Sequence, residues 1–197
     1  MEFRPLRLPG CYEVRLEPQR DGRGYFMRTY DRALFRRHGL TADWLQENQS
    51  MSLQRGTLRG LHLQKPPHTE TKLVRALVGS VLDVFVDLRT DSPAFGQWEA
   101  LELHADGFNL VYIPRGFAHG FCTLTGGSVV AYHVDACYAP EAESGLRWDD
   151  DTLRIQWPVA DPIVSAKDRA LPALREFESP FTMSNTSALT AEEETHA

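Results

Sequence analysis

The sequence predicts a mainly β protein, folded as an antiparallel sandwich or barrel. From about Gln46 to Tyr138, short apolar runs recur between Gly, Pro and Asp punctuation, the spacing of short antiparallel strands. Within that region Ser80 to Arg89 alternates with a period of two, the clearest strand signature in the chain. The third observation is size and composition: 197 residues, 42% hydrophobic and 24% charged, suit one filled core and are short for two. A single domain over residues 1–175 is expected, followed by a polar tail over 176–197 that is expected to be disordered.

The elements follow in chain order. Met1 to Leu6 reads as the start of a folded domain and carries no signal-peptide pattern. Residues 11–30 read as strand, a Gly-rich turn (Asp21-Gly22-Arg23-Gly24) and strand again. Asp31 to Gly39 is a short helix that Asp31 can cap and Gly39 can end. In Ser80 to Arg89, the face bearing Leu82, Val84, Val86 and Leu88 is core. The opposite face carries Asp83, Phe85 and Asp87; alternation alone leaves it lining a polar cavity or pointing at solvent. Residues 141–175, with Trp148, Trp157, Pro158 and Pro162, are expected to fold back over the barrel as loops. Residues 184–197 are polar, poor in apolar side chains and expected to be disordered.

A net charge of -6 gives no basic footprint for nucleic acid, and no apolar run is long enough to span a bilayer. An anionic substrate would need a local cluster of Arg and Lys, since the global field repels it. Cys11, Cys122 and Cys137 are an odd, scattered set without a Cys-x-x-Cys pair. They read as reduced, mostly buried thiols of a cytoplasmic protein.

The chemistry concentrates in three segments. Gly56 to Gln64 sets Arg59 and His62 around Gly60 in an otherwise strand-like run; Ile113 to Phe121 carries His119; Val129 to His133 carries Tyr132. A base, a second imidazole, a phenol and cations suit proton abstraction beside a carbonyl on an anionic substrate. His62 is the candidate base, because imidazole titrates near neutrality. Arg59 and His62 are three positions apart, so an ideal strand puts them on opposite faces. Either Gly60 makes a bulge or the two serve different surfaces, one of them a subunit interface. Lys72 opens an apolar strand, as a solvated strand end or as a cation stabilising an enolate. Tyr132 and Tyr138 fit core packing, or a proton donor opposite the base. A cupin metal set wants His-x-His with a downstream Glu and a further His; here Gln64 follows His62-Leu63. Glu70 and His119 leave that set incomplete, so no metal is expected.

These segments resemble the dTDP-4-dehydrorhamnose 3,5-epimerase family. The similarity runs from about Cys11 to Leu174. It includes Asp21 to Phe26, Gln46 to Ser50, Lys72 to Arg75, Val86 to Arg89, Asp91-Ser92-Pro93, Trp148-Asp149-Asp150 and Ser165 to Asp168. The resemblance implies a cupin-type antiparallel jelly roll with short flanking helices. It implies a cofactor-free homodimer, with N-terminal strands exchanged between subunits, acting on a nucleotide-linked 4-keto-6-deoxy sugar. His62 then corresponds to the base, Asp168 to its carboxylate partner and Tyr132 to the acid on the other ring face. Lys72 and His119 correspond to residues holding the sugar oxygens and enolate. Arg23, Arg59 and Lys167 correspond to nucleotide and diphosphate contacts. Gln46, Glu47, Asn48 and Glu143 match further substrate-binding positions, and Tyr138 a stacking position on the pyrimidine. Arg28 departs from the pattern, since many relatives carry glutamate there. The implied reaction inverts C3 and C5 of dTDP-4-keto-6-deoxy-D-glucose to give dTDP-4-keto-L-rhamnose. The rival readings are a single-site epimerase with another sugar or nucleotide, a non-catalytic sugar-nucleotide-binding cupin, and a metal-dependent dioxygenase.

Overall fold

The computed structural model describes residues 1–40 and 43–187. The first strands are β1 (Glu2–Pro5), β2 (Tyr12–Arg15), β3 (Gln19–Asp21) and β4 (Gly24–Phe26), followed by helix α1 (Arg32–Arg37). Asp31 caps α1 by accepting from Leu34 N–H at 3.1 Å, and Gly39 takes the left-handed conformation that stops it. The body comprises β5 (Gln46–Ser52), β6 (Leu58–Gln64), β7 (Lys72–Val78), β8 (Ser80–Asp87), β9 (Trp98–His104), β10 (Asn109–Ile113), β11 (Phe117–Thr123) and β12 (Ser128–Val134). A short β13 (Glu143–Gly145), helix α2 (Ala166–Arg169) and helix α3 (Met183–Ser187) close the described chain.

Two antiparallel sheets face each other, in the orders β1-β2-β10-β7-β12-β5 and β13-β6-β11-β8-β9, with β3-β4 as a separate hairpin. From β5 to β12 the chain changes sheet at every connection except β8–β9, which is the jelly-roll winding. Side chains of both sheets meet between them: Val74, Val111, Ile113 and Val130 pack with Val81, Phe85, Leu103 and Phe121. The outer face of the first sheet is covered by α1 through Phe35, packed with Val14, Leu73 and Tyr112.

The Asp83–Phe85–Asp87 face does not meet solvent; all three residues are buried in the sandwich interior. Phe85 is core, while Asp87 anchors the strand end through Arg89 and Ser92 Oγ. The Leu82–Leu88 face is also core, covered from outside by Leu146, Leu153, Ile155 and Phe181. Residues 141–175 do fold back over this sheet: Trp98 Nε1 donates to Leu153 O, and Trp157 Nε1 donates to Trp148 O.

The expected disordered tail is corrected for the described residues. Packed structure continues past residue 175. Phe181 is buried against β8, its carbonyl accepts from Thr90 N–H at 2.9 Å, and residues 183–187 form α3. An aromatic ring that completes a sheet's cover outweighs the polar composition around it; residues 188–197 lie outside the described chain. Phe181→Ala should therefore cost about 3 kcal/mol, as for other buried aromatics, read as a lowered urea midpoint at unchanged slope.

Candidate active site

The pairing of β6 with β11 shapes the site. His119 stands opposite His62, and Phe121 opposite Arg59, so one residue of β11 faces two of β6. That is a β-bulge, and Gly60 sits in it with φ +122°. The extra residue restores parity between Arg59 and His62. Both line one cavity, so the bulge rather than two separate surfaces resolves the spacing.

The cleft has two chambers. One, about 470 Å³, is lined by Arg59, His119, Phe121, Ser165 and Asp168 among others; the other, about 300 Å³, by Gln46, Asn48, Gln64, Glu70, Tyr138 and Glu143 among others. His62, Lys72 and Tyr132 line both, so the chambers meet at these three side chains. His62 belongs to β6 of one sheet, while Lys72 and Tyr132 belong to β7 and β12 of the other. A ligand between the sheets therefore has imidazole on one side, with phenol and ammonium on the other.

His62 Nε2 lies 2.8 Å from Asp168 Oδ1. An ionised carboxylate only accepts, so Nε2 carries the proton and Nδ1 keeps the lone pair a base needs. Asp168 Oδ2 accepts from Gly60 N–H at 3.1 Å, and Ser165 Oγ accepts from Asp168 N–H at 3.0 Å. Burial alone would raise the Asp168 carboxyl, but the bonds from His62, Gly60 and Ser165 outweigh it and hold the group below its ordinary 3.8. Such a depressed carboxyl stabilises the fold above its unfolded pKa, and that stabilisation is lost as pH falls through the folded value. The difference in Tm between the protein and Asp168→Asn should accordingly shrink as pH is lowered below about 4.

Lys72 is buried and pairs with Glu70 at 3.1 Å, so it is not a solvated strand end. His119 Nε2 lies 2.9 and 3.0 Å from the oxygens of Asp83, which is wholly buried on β8. Burial pushes Asp83 up, and His119 and Lys72 partly offset that rise. At the rim, Tyr138 Oη donates to Glu143 Oε2 at 2.7 Å, and Lys167 Nζ pairs with Glu143 Oε1 at 2.6 Å. Burial raises Glu143, but Lys167 and Tyr138 bring it below its ordinary value; its hydrogen bond in turn raises both Tyr138 and Lys167. Arg59 is aimed by Met51 O and Ser52 Oγ at 3.1 and 3.3 Å. Gln64, where a cupin metal set would carry histidine, serves as a tie: it donates to His68 O and Cys137 O and accepts from Ala139 N–H.

Three residues read as substrate-binding do not reach this cleft within one chain. Arg23, at the β3–β4 turn, is 91% exposed and pairs with Asp21. Arg28 pairs with Asp31 at 3.2 Å beside that hairpin. Glu47 lies between Gln46 and Asn48 on β5, so strand alternation turns it to the other face, 3.8 Å from His133. Conversely, the sequence reading left out Asp83, Glu70 and Ser165 as supports of the site. Period-two alternation already placed Asp83 on one face with Phe85, but nothing local told that face from a solvated one.

An imidazole–carboxylate pair facing a phenol and an ammonium inside a jelly roll is the constellation of an acid–base enzyme, and known sugar-nucleotide epimerases share this fold. The model of the dTDP-4-dehydrorhamnose 3,5-epimerase family matches residues 5–176, and the chain belongs to that family. The dTDP-4-dehydrorhamnose 3,5-epimerase of Methanothermobacter thermautotrophicus is 43% identical over 180 residues, covering 89% of this chain and 96% of that protein. The Bacillus anthracis enzyme, solved with TDP and PPi bound, superposes with a TM-score of 0.86 at 42% identity, over 88% of this chain and 99% of that one. The Legionella pneumophila enzyme, solved with dTDP-4-keto-L-rhamnose, gives 0.85 at 35% identity, over 90% and 94%. Among the described residues no helix is long and apolar enough to cross a membrane.

Proposed function

We propose that this chain inverts C3 and C5 of dTDP-4-keto-6-deoxy-D-glucose, giving dTDP-4-keto-L-rhamnose. The observation that carries the reading is the meeting of His62, backed by Asp168, with Lys72 and Tyr132 of the opposite sheet. His62 Nδ1 removes the proton alpha to the C4 keto group. Asp168 holds the ring and stabilises the imidazolium that forms. Lys72 places its charge against the enolate oxygen. Tyr132 returns a proton to the opposite face, which inverts the carbon. The step is redox-neutral, since each proton removed is replaced. Arg59 and Lys167 hold the diphosphate, where a guanidinium fork suits phosphate oxygens. Gln46, Asn48, His119 and Glu143 bind the rest of the substrate, and Tyr138 stacks on the base.

The working unit in this reading is a homodimer with exchanged N-terminal strands. Support comes from the β3–β4 hairpin, whose Tyr25 and Phe26 are exposed although aromatic, next to Arg23 and Arg28. In a dimer that hairpin serves the partner's cleft, which explains why neither arginine lines its own.

The test is proton NMR of dTDP-4-keto-6-deoxy-D-glucose with the protein in deuterium oxide. Deuterium should enter at both C3 and C5 as the L-lyxo-configured 4-keto sugar forms. Exchange at one carbon would replace the proposal with a single-site epimerase, and exchange at neither would overturn it.

A further inference from the structure

His62 and His119 are cross-strand register partners, and each has its own carboxylate: Asp168 from the C-terminal segment and Asp83 from β8. Asp83 is fully buried and lines neither chamber, so it cannot touch a ligand; it acts only through what it holds. Its two oxygens both lie within 3.0 Å of His119 Nε2. His119 lines the larger chamber beside Lys72, Tyr132 and Arg59.

We infer that Asp83 is a positioning residue that fixes His119 with Nε2–H donated to the carboxylate and Nδ1 presented to the cleft as a hydrogen-bond acceptor. This rests on the epimerase reading and goes further by fixing which tautomer His119 presents and what it binds. A lone pair repels an enolate oxygen, so an Nδ1 acceptor does not stabilise the charge developing at C4. It binds a sugar hydroxyl, a donor present in substrate and transition state alike. The enolate is then left to the Lys72 ammonium, a donor only. Uniform binding of this kind appears in KM, and transition-state stabilisation appears in kcat.

Asp83→Asn keeps the shape of the side chain and can turn an N–H toward Nε2, which moves the ring proton to Nδ1. Steady-state turnover and the nitrogen-15 signals of His119 would be measured in the protein and in this variant, with Asp83→Glu as the conservative control. The expected result is an Nε2–H ring in the protein and an Nδ1–H ring in Asp83→Asn. KM should rise about tenfold, the worth of one hydrogen bond, with kcat within about threefold. Asp83→Glu should recover part of the KM. An Nδ1–H ring in the unmodified protein, a fall in kcat at unchanged KM, or unchanged kinetics in Asp83→Asn would each overturn the inference. If the variant is unfolded by circular dichroism, the His119 tautomer in the unmodified protein decides alone. Absence of turnover in the unmodified protein would instead count against the epimerase reading, so the two failures are distinguishable.

Discussion

Replacing His62 by alanine should reduce deuterium incorporation at both C3 and C5 by about 10³-fold, within the range a positioned general base contributes. Both carbons should lose exchange together, because one imidazole, held by Asp168, stands where the chambers meet. Stability should change little: the His62 side chain is 33% exposed into the cleft, so its removal opens no core cavity. The measurement is NMR exchange on variant protein whose circular dichroism and Tm match the parent. Loss at one carbon with retention at the other would require a second base, and retained turnover at both would remove His62 from the mechanism.

Gly60→Ala should be a strongly damaging small substitution near the site. An alanine Cβ there would lie 2.5 Å from Gly120 Cα and 2.8 Å from His119 O, both backbone atoms that cannot swing aside. The φ of +122° is a further strain for any L side chain. Overpacking of about 1–3 kcal/mol and backbone strain of about 1–2 kcal/mol give an expected loss of about 3 kcal/mol. Activity should fall as well, because relief of the clash opens the bulge that puts Arg59 and His62 on one face. Urea unfolding and kcat/KM check the two parts. A loss under about 1 kcal/mol would mean the strands part easily here, and the bulge would then not be what fixes the pair.

The chain's local signals spelled out much of the architecture. The period-two run in Ser80 to Arg89, the Asp31 cap with the Gly39 stop, and the Asp21 to Gly24 turn all became the elements they announced. The tail was misread because one buried ring, Phe181, is invisible to a composition average. Glu47 shares a motif with Gln46 and Asn48, but strand alternation turns it away from the cleft of its own chain.

The strand-rich sandwich, the family and the candidate residues His62 and Tyr132 are legible in the chain alone, because periodicity and short motifs are local properties. The relations between distant segments emerge only on folding. Asp168 reaches His62 from 106 positions away, and Asp83 reaches His119 from 36. The same is true of the bulge that brings Arg59 beside His62, and of the interior position of the Asp83 face. No local pattern encodes these, since each depends on which strand lies alongside and which face the opposing sheet covers. His62 and Tyr132 lie on opposite sides of the cleft for the same reason: they belong to different sheets, and only the jelly-roll winding sets those sheets face to face.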